Sequence, residues 1–358
     1  MKFYQNPELT ISIIKIFIAA VSASMLAVFL TPFLTHFLYK YKLWRKEART
    51  KTITGEEATV FHGLHKEREV NTPRFGGILI VGATIIITFL FWILSQIFDN
   101  PFIQKLNFLS RNQTWLPLFT LITASFLGLF DDILQVIGKG KYVAGGIRFT
   151  RRLVVVILIG LIGALWFYFK LDWHTIHVPL AGDFEIGFWY IPLFITIMLA
   201  CWSGGVIDGL DGLAGGTFAS IFMAFGIIAL FRGQIDIAAF CAVICGTILA
   251  FLWFNIPPAR FYMGETGMLG LTSTLAVVAF LTDSVIVLPI IAGLIVLEVG
   301  SIILQLLSKK FRHKKIWLCT PIHHHFEALG WPHYKVTMRF WVIGIVLAII
   351  GVAIRLLG

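Results

Sequence analysis

The chain of 358 residues is 58% hydrophobic and only 13% charged, with a mean hydropathy of +0.86. Soluble domains carry about 25% charged residues, so this composition excludes a soluble globular protein and predicts an all-α polytopic membrane protein formed by one domain, residues 1–358. The net charge of +10 is typical of loops beside anionic membrane lipid, and we expect no nucleic-acid partner.

Apolar stretches that can cross a bilayer as helices, each about 20 residues long, recur along the chain. The ten predicted spans are 11–38, 76–98, 115–130, 153–169, 189–202, 215–231, 237–254, 267–281, 285–308 and 340–357. The apolar run of the first span continues to Leu38, which favours a retained helix over a cleaved signal peptide. Residues 170–188 combine Pro179 and Gly182 with alternating apolar residues, a pattern that predicts a short hairpin.

Basic residues predict the orientation of these spans. Of the 29 Lys and Arg residues, 22 fall in five alternate loops. The five loops are 39–75, 131–152, 203–214, 255–266 and 309–339. The positive-inside rule places them in the cytoplasm, and an even number of spans then places both termini on the extracytoplasmic side. The polar motifs of the chain lie in or beside these loops.

The first motif is Asp131-Asp132, at the predicted end of the third span. Adjacent carboxylates repel each other unless a cation lies between them, so the pair suits a divalent ion or proton transfer. A helix-end pair that faces water would have the same sequence. The loop that follows suits phosphate binding, or simply obeys the positive-inside rule. Its basic residues are Lys139, Lys141, Arg148, Arg151 and Arg152.

The second motif, Asp208-Gly209-Leu210-Asp211, joins the fifth and sixth spans. Glycine lets the backbone approach a ligand closely, and the carboxylates can accept from a base or sugar, or hold a metal through water. A capped tight turn explains one Asp-Gly pair, but not the repeated Asp-Gly-Leu.

The third motif follows the seventh span and runs from Asn255 to Glu265. The amide of Asn255 can read a nucleobase edge, Tyr262 can stack on the base, and Glu265 is a hard oxygen ligand suited to Mg²⁺. Taken singly, each of these residues is equally typical of a helix end.

The fourth motif is His323-His324-His325 in the last cytoplasmic loop. Three consecutive side chains point in different directions on any regular element, which disfavours one shared ion. Contact of one or two of them with phosphate is the favoured functional interpretation.

Together these motifs resemble the phospho-N-acetylmuramoyl-pentapeptide transferases, a branch of the polyprenyl-phosphate N-acetylhexosamine-1-phosphate transferases. The similarity extends from about Thr72 to Arg339. The segments that carry it are 72–77, 131–132, 208–214, 251–255, 263–264 and 321–327, with Glu298 and Gln305 from the ninth span. The triple histidine followed by Glu327 favours the muramoyl-pentapeptide branch over its GlcNAc-phosphate relatives.

The resemblance implies a ten-helix, homodimeric enzyme of the bacterial inner membrane with its active site on the cytoplasmic face. Undecaprenyl phosphate would attack the β-phosphate of UDP-MurNAc-pentapeptide, giving lipid I and UMP, with Mg²⁺ as cofactor. Catalysis would then rest mainly on positioning and charge neutralisation.

By motif, the resemblance also implies roles for individual residues. Asp131 and Asp132 would lie near the lipid phosphate, and Glu265 would bind Mg²⁺ with Asp132 as a second ligand. The three histidines would lie by the phosphates and the sugar, with His323 and His324 catalytic and His325 binding substrate. The residues that would form the uridine side are Asp208, Gly209, Leu210, Asp211, Asn255, Tyr262 and Gln305.

Some positions depart from the family pattern. Gln135 and Glu69 replace lysines, Gly205 replaces an asparagine, Glu265 replaces an aspartate, and Arg74 and Phe75 fill the middle of a Thr-Pro-Thr-Met-Gly-Gly motif. We expect Arg74, Arg68 or a basic residue of the 139–152 loop to supply the missing charge. These departures leave two alternatives open: a transferase that uses UDP-GlcNAc or a related UDP-sugar, and a non-catalytic protein that binds polyprenyl phosphate. A transporter is disfavoured, because the carboxylates cluster at one face and no internal repeat is evident.

Overall fold

The structure is a computed structural model that describes residues 7–46, 63, 70–109, 112–138 and 146–358. Several residues that the sequence singles out lie outside the described residues; they are Arg68, Glu69, Lys139 and Lys141.

The described chain is mostly helical, as the sequence predicted. The α-helices are α1 (Pro7–Lys40), α2 (Gly77–Ile97), α3 (Pro101–Leu106), α4 (Asn112–Ile137), α5 (Phe149–Leu165), α6 (Tyr190–Ser203), α7 (Leu213–Phe231), α8 (Ile235–Asn255), α9 (Gly264–Leu281), α10 (Leu288–Ile291), α11 (Gly293–Arg312), α12 (Ile322–Ala328) and α13 (His333–Leu357). A π-helical turn (Trp166–Lys170) and two 3₁₀ turns (Gly187–Trp189 and Gly204–Ile207) extend α5 and α6.

Within the described residues, nine helices are long and apolar enough to span a membrane. They account for nine of the ten predicted spans and confirm a multi-pass membrane protein. The exception is the predicted span 285–308, which breaks at Ala292 into α10 and α11. α11 contains Glu298 and Gln305, which are buried within the protein, and it ends in the basic residues Lys309, Lys310 and Arg312. The orientation of the termini stays a prediction.

α9 is the innermost helix. All of its residues except Glu265 are buried, and it packs most extensively against α4. α1 and α13 instead leave large apolar side chains exposed along much of their length, as expected of helices that face lipid hydrocarbon. The first turn of α9 therefore lies deep in the helix bundle, with only the Glu265 side chain reaching out of it.

The predicted hairpin in 170–188 is confirmed. Strands β1 (Thr175–Val178) and β2 (Gly182–Glu185) pair antiparallel, with Thr175 opposite Glu185. The hairpin follows α5 and precedes α6, and it contacts the far end of α9 through a bond from the His177 N–H to Asp283 at 3.1 Å.

The end of the third predicted span differs from the sequence prediction. α4 does not stop before Asp131 but continues to Ile137, and both Asp131 and Asp132 are fully buried. A helix-end pair that faces water is therefore wrong for these residues. The helix continues because the two carboxylates find protein partners.

Candidate active site

Asp132 binds the start of α9. Its Oδ1 accepts from the Glu265 N–H at 3.0 Å, and its Oδ2 accepts from the Thr266 N–H at 2.9 Å and the Thr266 hydroxyl at 2.7 Å. The first N–H groups of a helix have no intrahelical partner and carry a partial positive charge. A buried carboxylate from α4 therefore caps α9 and fixes the position of Glu265.

The approach of Asp132 requires glycine at position 264. Gly264 has φ +72, and a Cβ there would lie 2.6 Å from Asp132 Oδ2. Both the left-handed backbone and the close contact exclude a larger residue. The Met263-Gly264 pair of the sequence thus marks the point where α4 and α9 meet.

Arg152 joins the other two acids of this region. Its Nη1 donates to Glu265 Oε1 at 2.8 Å, and its Nη2 lies 3.1 Å from Asp131 Oδ2. The side chain of Arg152 is almost buried, whereas that of Glu265 is 26% exposed. One guanidinium therefore holds a buried carboxylate of α4 beside a carboxylate that reaches the surface of the site. Arg74 lies next to this set, with its Nε 3.5 Å from Asp132 Oδ1.

Asp131 has two further donors. Its Oδ1 accepts from the Ile147 N–H at 2.5 Å, and its Oδ2 accepts from Gln135 Nε2 at 2.6 Å. Gln135 in turn accepts from Arg45. Gln135, which replaces the lysine of the family, thus has its side-chain amide held between the Arg45 guanidinium and Asp131.

Asp208 approaches the start of α9 from a different loop. The Gly264 N–H lies near its carboxylate, and burial raises its pKa to about 7, with the negative charges of Glu265 and Asp132 adding to that rise. Arg74 and the Gly264 N–H lower the pKa of Asp208, but less than burial raises it. Asp208 is therefore poised to lose its proton near neutral pH, and a cation nearby would favour that loss.

His323 is fully buried and pairs with α11. Its Nδ1 lies 2.9 Å from Oε2 of the buried Glu298. The second nitrogen of the ring, Nε2, is buried without a hydrogen-bond partner in the described structure and lies next to Gly209. A Cβ at Gly209 would lie 2.2 Å from His323 Nε2 and 3.0 Å from His324 Nε2. The Asp208–Asp211 loop therefore packs directly on the histidine motif.

The three histidines have three different hydrogen-bond partners. His324 pairs through Nδ1 with Glu327 at 2.7 Å, and His325 Nδ1 accepts from the Leu318 N–H at 3.3 Å. His323 and His324 lie face to edge, with ring centroids 4.1 Å apart. Their pairing with two separate glutamates does not favour a single ion held by all three.

Two residues predicted on the uridine side hold loops together. Asn255 Oδ1 accepts from the Gly212 N–H at 2.9 Å, while Asn255 Nδ2 donates to the Phe261 carbonyl at 2.8 Å. Asp211 Oδ2 accepts from the Ala259 N–H at 3.2 Å. These contacts tie the Asp208–Asp211 loop to the segment that leads into α9.

Tyr262 and Gln305 are likewise engaged with backbone. The Tyr262 N–H donates to the Pro73 carbonyl at 2.8 Å, and the Tyr262 carbonyl accepts from the Gly76 N–H at 2.8 Å. This pairing docks the 72–77 motif beside the start of α9. Gln305 Oε1 accepts from the N–H groups of Ile316 and Trp317, and its Nε2 donates to the Trp317 carbonyl. Leu210 is buried.

The structure therefore brings the predicted residues to one region of the bundle. Asp131, Asp132, Asp208 and Glu265 surround the first turn of α9, and Gly209 links this group to the histidines. Gln305 lies on α11 two turns beyond Glu298 and therefore shares a helix face with Glu298, the partner of His323.

Sequence reasoning missed two residues of this region. Arg45 carries no distinguishing signal, since it is one of nine basic residues in the 39–75 loop. Thr266 follows Glu265 and could have been recognised as a first-turn donor once Gly264 was taken as the start of a helix.

A second cluster lies at the opposite end of α9. His177, Asp183 and Asp283 place one ligand atom each within 4.8 Å of one another, and they form the one such trio among the described residues. Asp283 also lies 3.7 Å from Arg232 and 4.0 Å from Arg355. These arginines already balance its charge, and the sequence does not single out the trio.

Comparisons with known proteins identify the family of this chain. The family model described as glycosyl transferase family 4 matches residues 114–283, which include Asp131, Asp208 and Glu265. A phospho-N-acetylmuramoyl-pentapeptide-transferase from Geobacillus sp. strain WCH70 is 33% identical over 94% of this chain and 97% of its own length. The protein of the same name from Levilactobacillus brevis is 35% identical over 83% of this chain and 87% of its own length. The one from Bacillus subtilis strain 168 is 32% identical over 92% of this chain and 95% of its own length.

Proposed function

Because the chain belongs to the phospho-N-acetylmuramoyl-pentapeptide transferase family, we propose that it makes lipid I. In this reaction an oxygen of undecaprenyl phosphate attacks the β-phosphorus of UDP-MurNAc-pentapeptide, and UMP leaves. One phosphoanhydride bond forms as another breaks, so the barrier is lowered mainly by positioning and charge neutralisation. The proposed partners are the donor UDP-MurNAc-pentapeptide, the acceptor lipid undecaprenyl phosphate and a second copy of the chain.

The observation that carries the proposal is the convergence on one helix terminus. Carboxylates from α4, from the Asp208 loop and from α9 itself meet at the first turn of α9. A structural cap needs one acid there. The additional acids, with Arg152 and Arg74 among them, suit a site that handles phosphate groups and a cation.

We also propose that the enzyme uses Mg²⁺, and the residues present fit this ion. Mg²⁺ prefers oxygen ligands and is usually held by one or two carboxylates together with substrate phosphates. Glu265 and Asp208 are the partly exposed acids of the set, and the carboxylate of Asp132 accepts from the Glu265 N–H. When bound, the ion would neutralise charge on the transferring phosphate groups.

The side chains of the site have separable roles in this proposal. Arg152 holds Asp131 and Glu265 in place, and we assign Asp131 to the side of the site that receives the lipid phosphate. The unpartnered His323 Nε2 lies buried beside the Gly209 backbone, and we assign it as a donor to a phosphate or sugar oxygen of the bound substrate. Asn255 and Asp211 hold the Asp208–Asp211 loop in shape, and we call this loop the nucleotide-side loop. We further propose that this site faces the cytoplasm, which rests on the distribution of Lys and Arg.

The proposal is tested by UMP release from UDP-MurNAc-pentapeptide and undecaprenyl phosphate with purified protein in detergent. We expect Mg²⁺-dependent turnover that Glu265→Gln lowers by about 100-fold or more, because the amide is a poor magnesium ligand. Glu265→Asp keeps the carboxylate and is expected to keep turnover. Glu185→Gln, in the exposed strand β2, is the control. Faster turnover with UDP-GlcNAc would transfer the assignment to the other branch, and no turnover with any donor would refute a catalytic function.

A further inference from the structure

Gln135 lies between a buried guanidinium and Asp131. Arg45 and Gln135 are 3% and 2% exposed. Arg45 Nε donates to Gln135 Oε1 at 3.1 Å, and Arg45 Nη2 donates to the same oxygen. On its other side, Gln135 Nε2 donates to Asp131 Oδ2 at 2.6 Å. The three side chains therefore form one line from the segment after α1 to the acid of α4.

The guanidinium fixes which way the amide points. With both Arg45 donors on its oxygen, Gln135 must present its NH₂ group to Asp131, since the reverse orientation would set donors against donors. Two charged donors on one carbonyl also polarise the amide and strengthen the bond that its NH₂ group gives. Arg45 thus acts on Asp131 through Gln135, without touching it.

The segment that carries Arg45 is tied to the rest of the site. The Arg74 N–H donates to the Leu43 carbonyl at 3.0 Å, and the Arg74 side chain reaches Asp132. A shift of residues 43–45 would therefore move both neighbours of the Asp131-Asp132 pair. This is a reason for Arg45 to be buried at this point, where an isolated guanidinium would be costly.

We propose that Arg45 and Gln135 are a positioning pair that orients Asp131 for the transfer reaction. Arg152, a basic residue of the 139–152 loop, already contacts Asp131 directly; the pair adds a second positive charge, from the segment after α1, beside position 135, where the family resemblance places a lysine. The proposal rests on the proposed transferase function. We therefore expect the enzyme to stay active when the cation is moved from position 45 to position 135, but to lose activity when both positions carry a cation.

A charge-relocation cycle tests the pair: Arg45→Gln, Gln135→Lys and the double variant, with kcat and KM measured for both substrates. Each single variant is expected to lower kcat by about tenfold. Arg45→Gln removes the charge that polarises the bond from Gln135 to Asp131. Gln135→Lys forces two cations together. KM for the UDP-sugar is expected to stay within about twofold, because the nucleotide-side loop is untouched. The double variant should recover to within about threefold of the wild type, since the ammonium group introduced by Gln135→Lys can then pair directly with Asp131.

A purely structural role predicts a different result. Each variant would then lose activity only in proportion to its loss of folded protein, with kcat per folded molecule unchanged, and this result would overturn the proposal, as would full activity in Arg45→Gln or a double variant that is no more active than the single variants. Lys46→Gln removes an exposed charge from the same segment and is the matched control. Melting temperatures of the wild type and the three variants of the cycle form a second cycle. If the wild type releases no UMP, the proposed transferase function is refuted. The melting temperatures still test the pair in that case. Recovery of the melting temperature in the double variant supports the pair, and additive losses of melting temperature refute it.

Discussion

Asp208 shows how the site responds to pH at the scale of one residue. Burial, followed by the charges of Glu265 and Asp132, raises its pKa from 3.8 to about 7. A folded-state pKa above the unfolded value means that the folded protein binds this proton more tightly. The stabilising contribution of the proton is therefore complete below about pH 4 and is lost as pH rises through about 7.

We therefore predict that Asp208→Asn stabilises the protein increasingly as pH rises from 5 to 8. The amide mimics the protonated acid and keeps an oxygen that can accept from the Gly264 N–H. The measurement is the melting temperature in detergent with EDTA, where the variant should exceed the wild type by at least about 2 °C at pH 8 and by little at pH 5. A difference that does not change with pH would contradict the assigned cause. Asp99→Asn, which removes an exposed carboxylate, is the control.

Gly209 is the residue that sets the distance between the nucleotide-side loop and the histidines. Alanine there would place its Cβ 2.2 Å from His323 Nε2, whereas alanine at Gly205 of the same region would meet nothing within 4 Å. We predict that Gly209→Ala lowers kcat at least about tenfold by displacing His323, while Gly205→Ala leaves it within about twofold. Comparable losses in both variants would show that backbone freedom, rather than contact with His323, matters in this loop.

At the scale of elements, the site depends on how closely α4 and α9 pack. Gly128 lies one turn before Asp132 on α4, and a Cβ there would lie 2.1 Å from the Glu265 carbonyl oxygen. That contact is with backbone, so α9 itself would have to shift. Gly82 on α2 offers a matched position, because a Cβ there meets nothing within 4 Å.

We predict opposite outcomes for the two alanine substitutions. Gly128→Ala should destabilise the protein by about 1–3 kcal/mol and should reduce UMP release, since it moves the first turn of α9 away from Asp132. Gly82→Ala should be neutral or slightly stabilising, because alanine is the better helix former. Thermal melting and the UMP assay on both variants provide the measurement. An unchanged Gly128→Ala protein would mean that α4 and α9 are not held at this distance.

The elements also show what a sequence can and cannot predict. Apolar length predicted nine spans because hydrophobic burial alone determines them. It failed at Asp131-Asp132, where helix α4 continues and Arg152 and the start of α9 supply partners for the two carboxylates from distant parts of the chain. The span 285–308 is not one continuous helix, since the chain breaks at Ala292, and Glu298 faces protein through its contact with His323.

The site residues divide in the same way. Motif order identified the region, and the structure brings Asp208, Glu265 and His323 into it. A side-chain amide, however, suits a nucleobase and a backbone group equally well. The sequence therefore could not foresee that Asn255 bonds to Gly212 and Phe261. Arg45 was beyond prediction, because only the packing of the segment after α1 brings it to Gln135.

At the scale of the whole molecule, the two ends of α9 have different chemistry. The end at Glu265 gathers acids and arginines beside the histidine motif. The end at Leu281 leads to Asp283 and the hairpin that carries His177. If the site faces the cytoplasm, as the basic loops predict, the hairpin must lie on the extracytoplasmic side. Two cysteine positions can test both statements at once.

Cys319 is the one half-buried cysteine of the four, and the other three are buried. Burial raises the pKa of the Cys319 thiol, so labelling needs an extended incubation at mildly alkaline pH. The second position is Asp183→Cys, placed in a Cys319→Ser background, because the Asp183 side chain is 67% exposed on the hairpin. We predict that a membrane-impermeant maleimide labels Asp183→Cys in intact spheroplasts. Cys319 of the wild type should react only in inside-out vesicles. The reverse pattern would invert the whole bundle and place the proposed active site on the outer face, where the positive-inside rule would have failed.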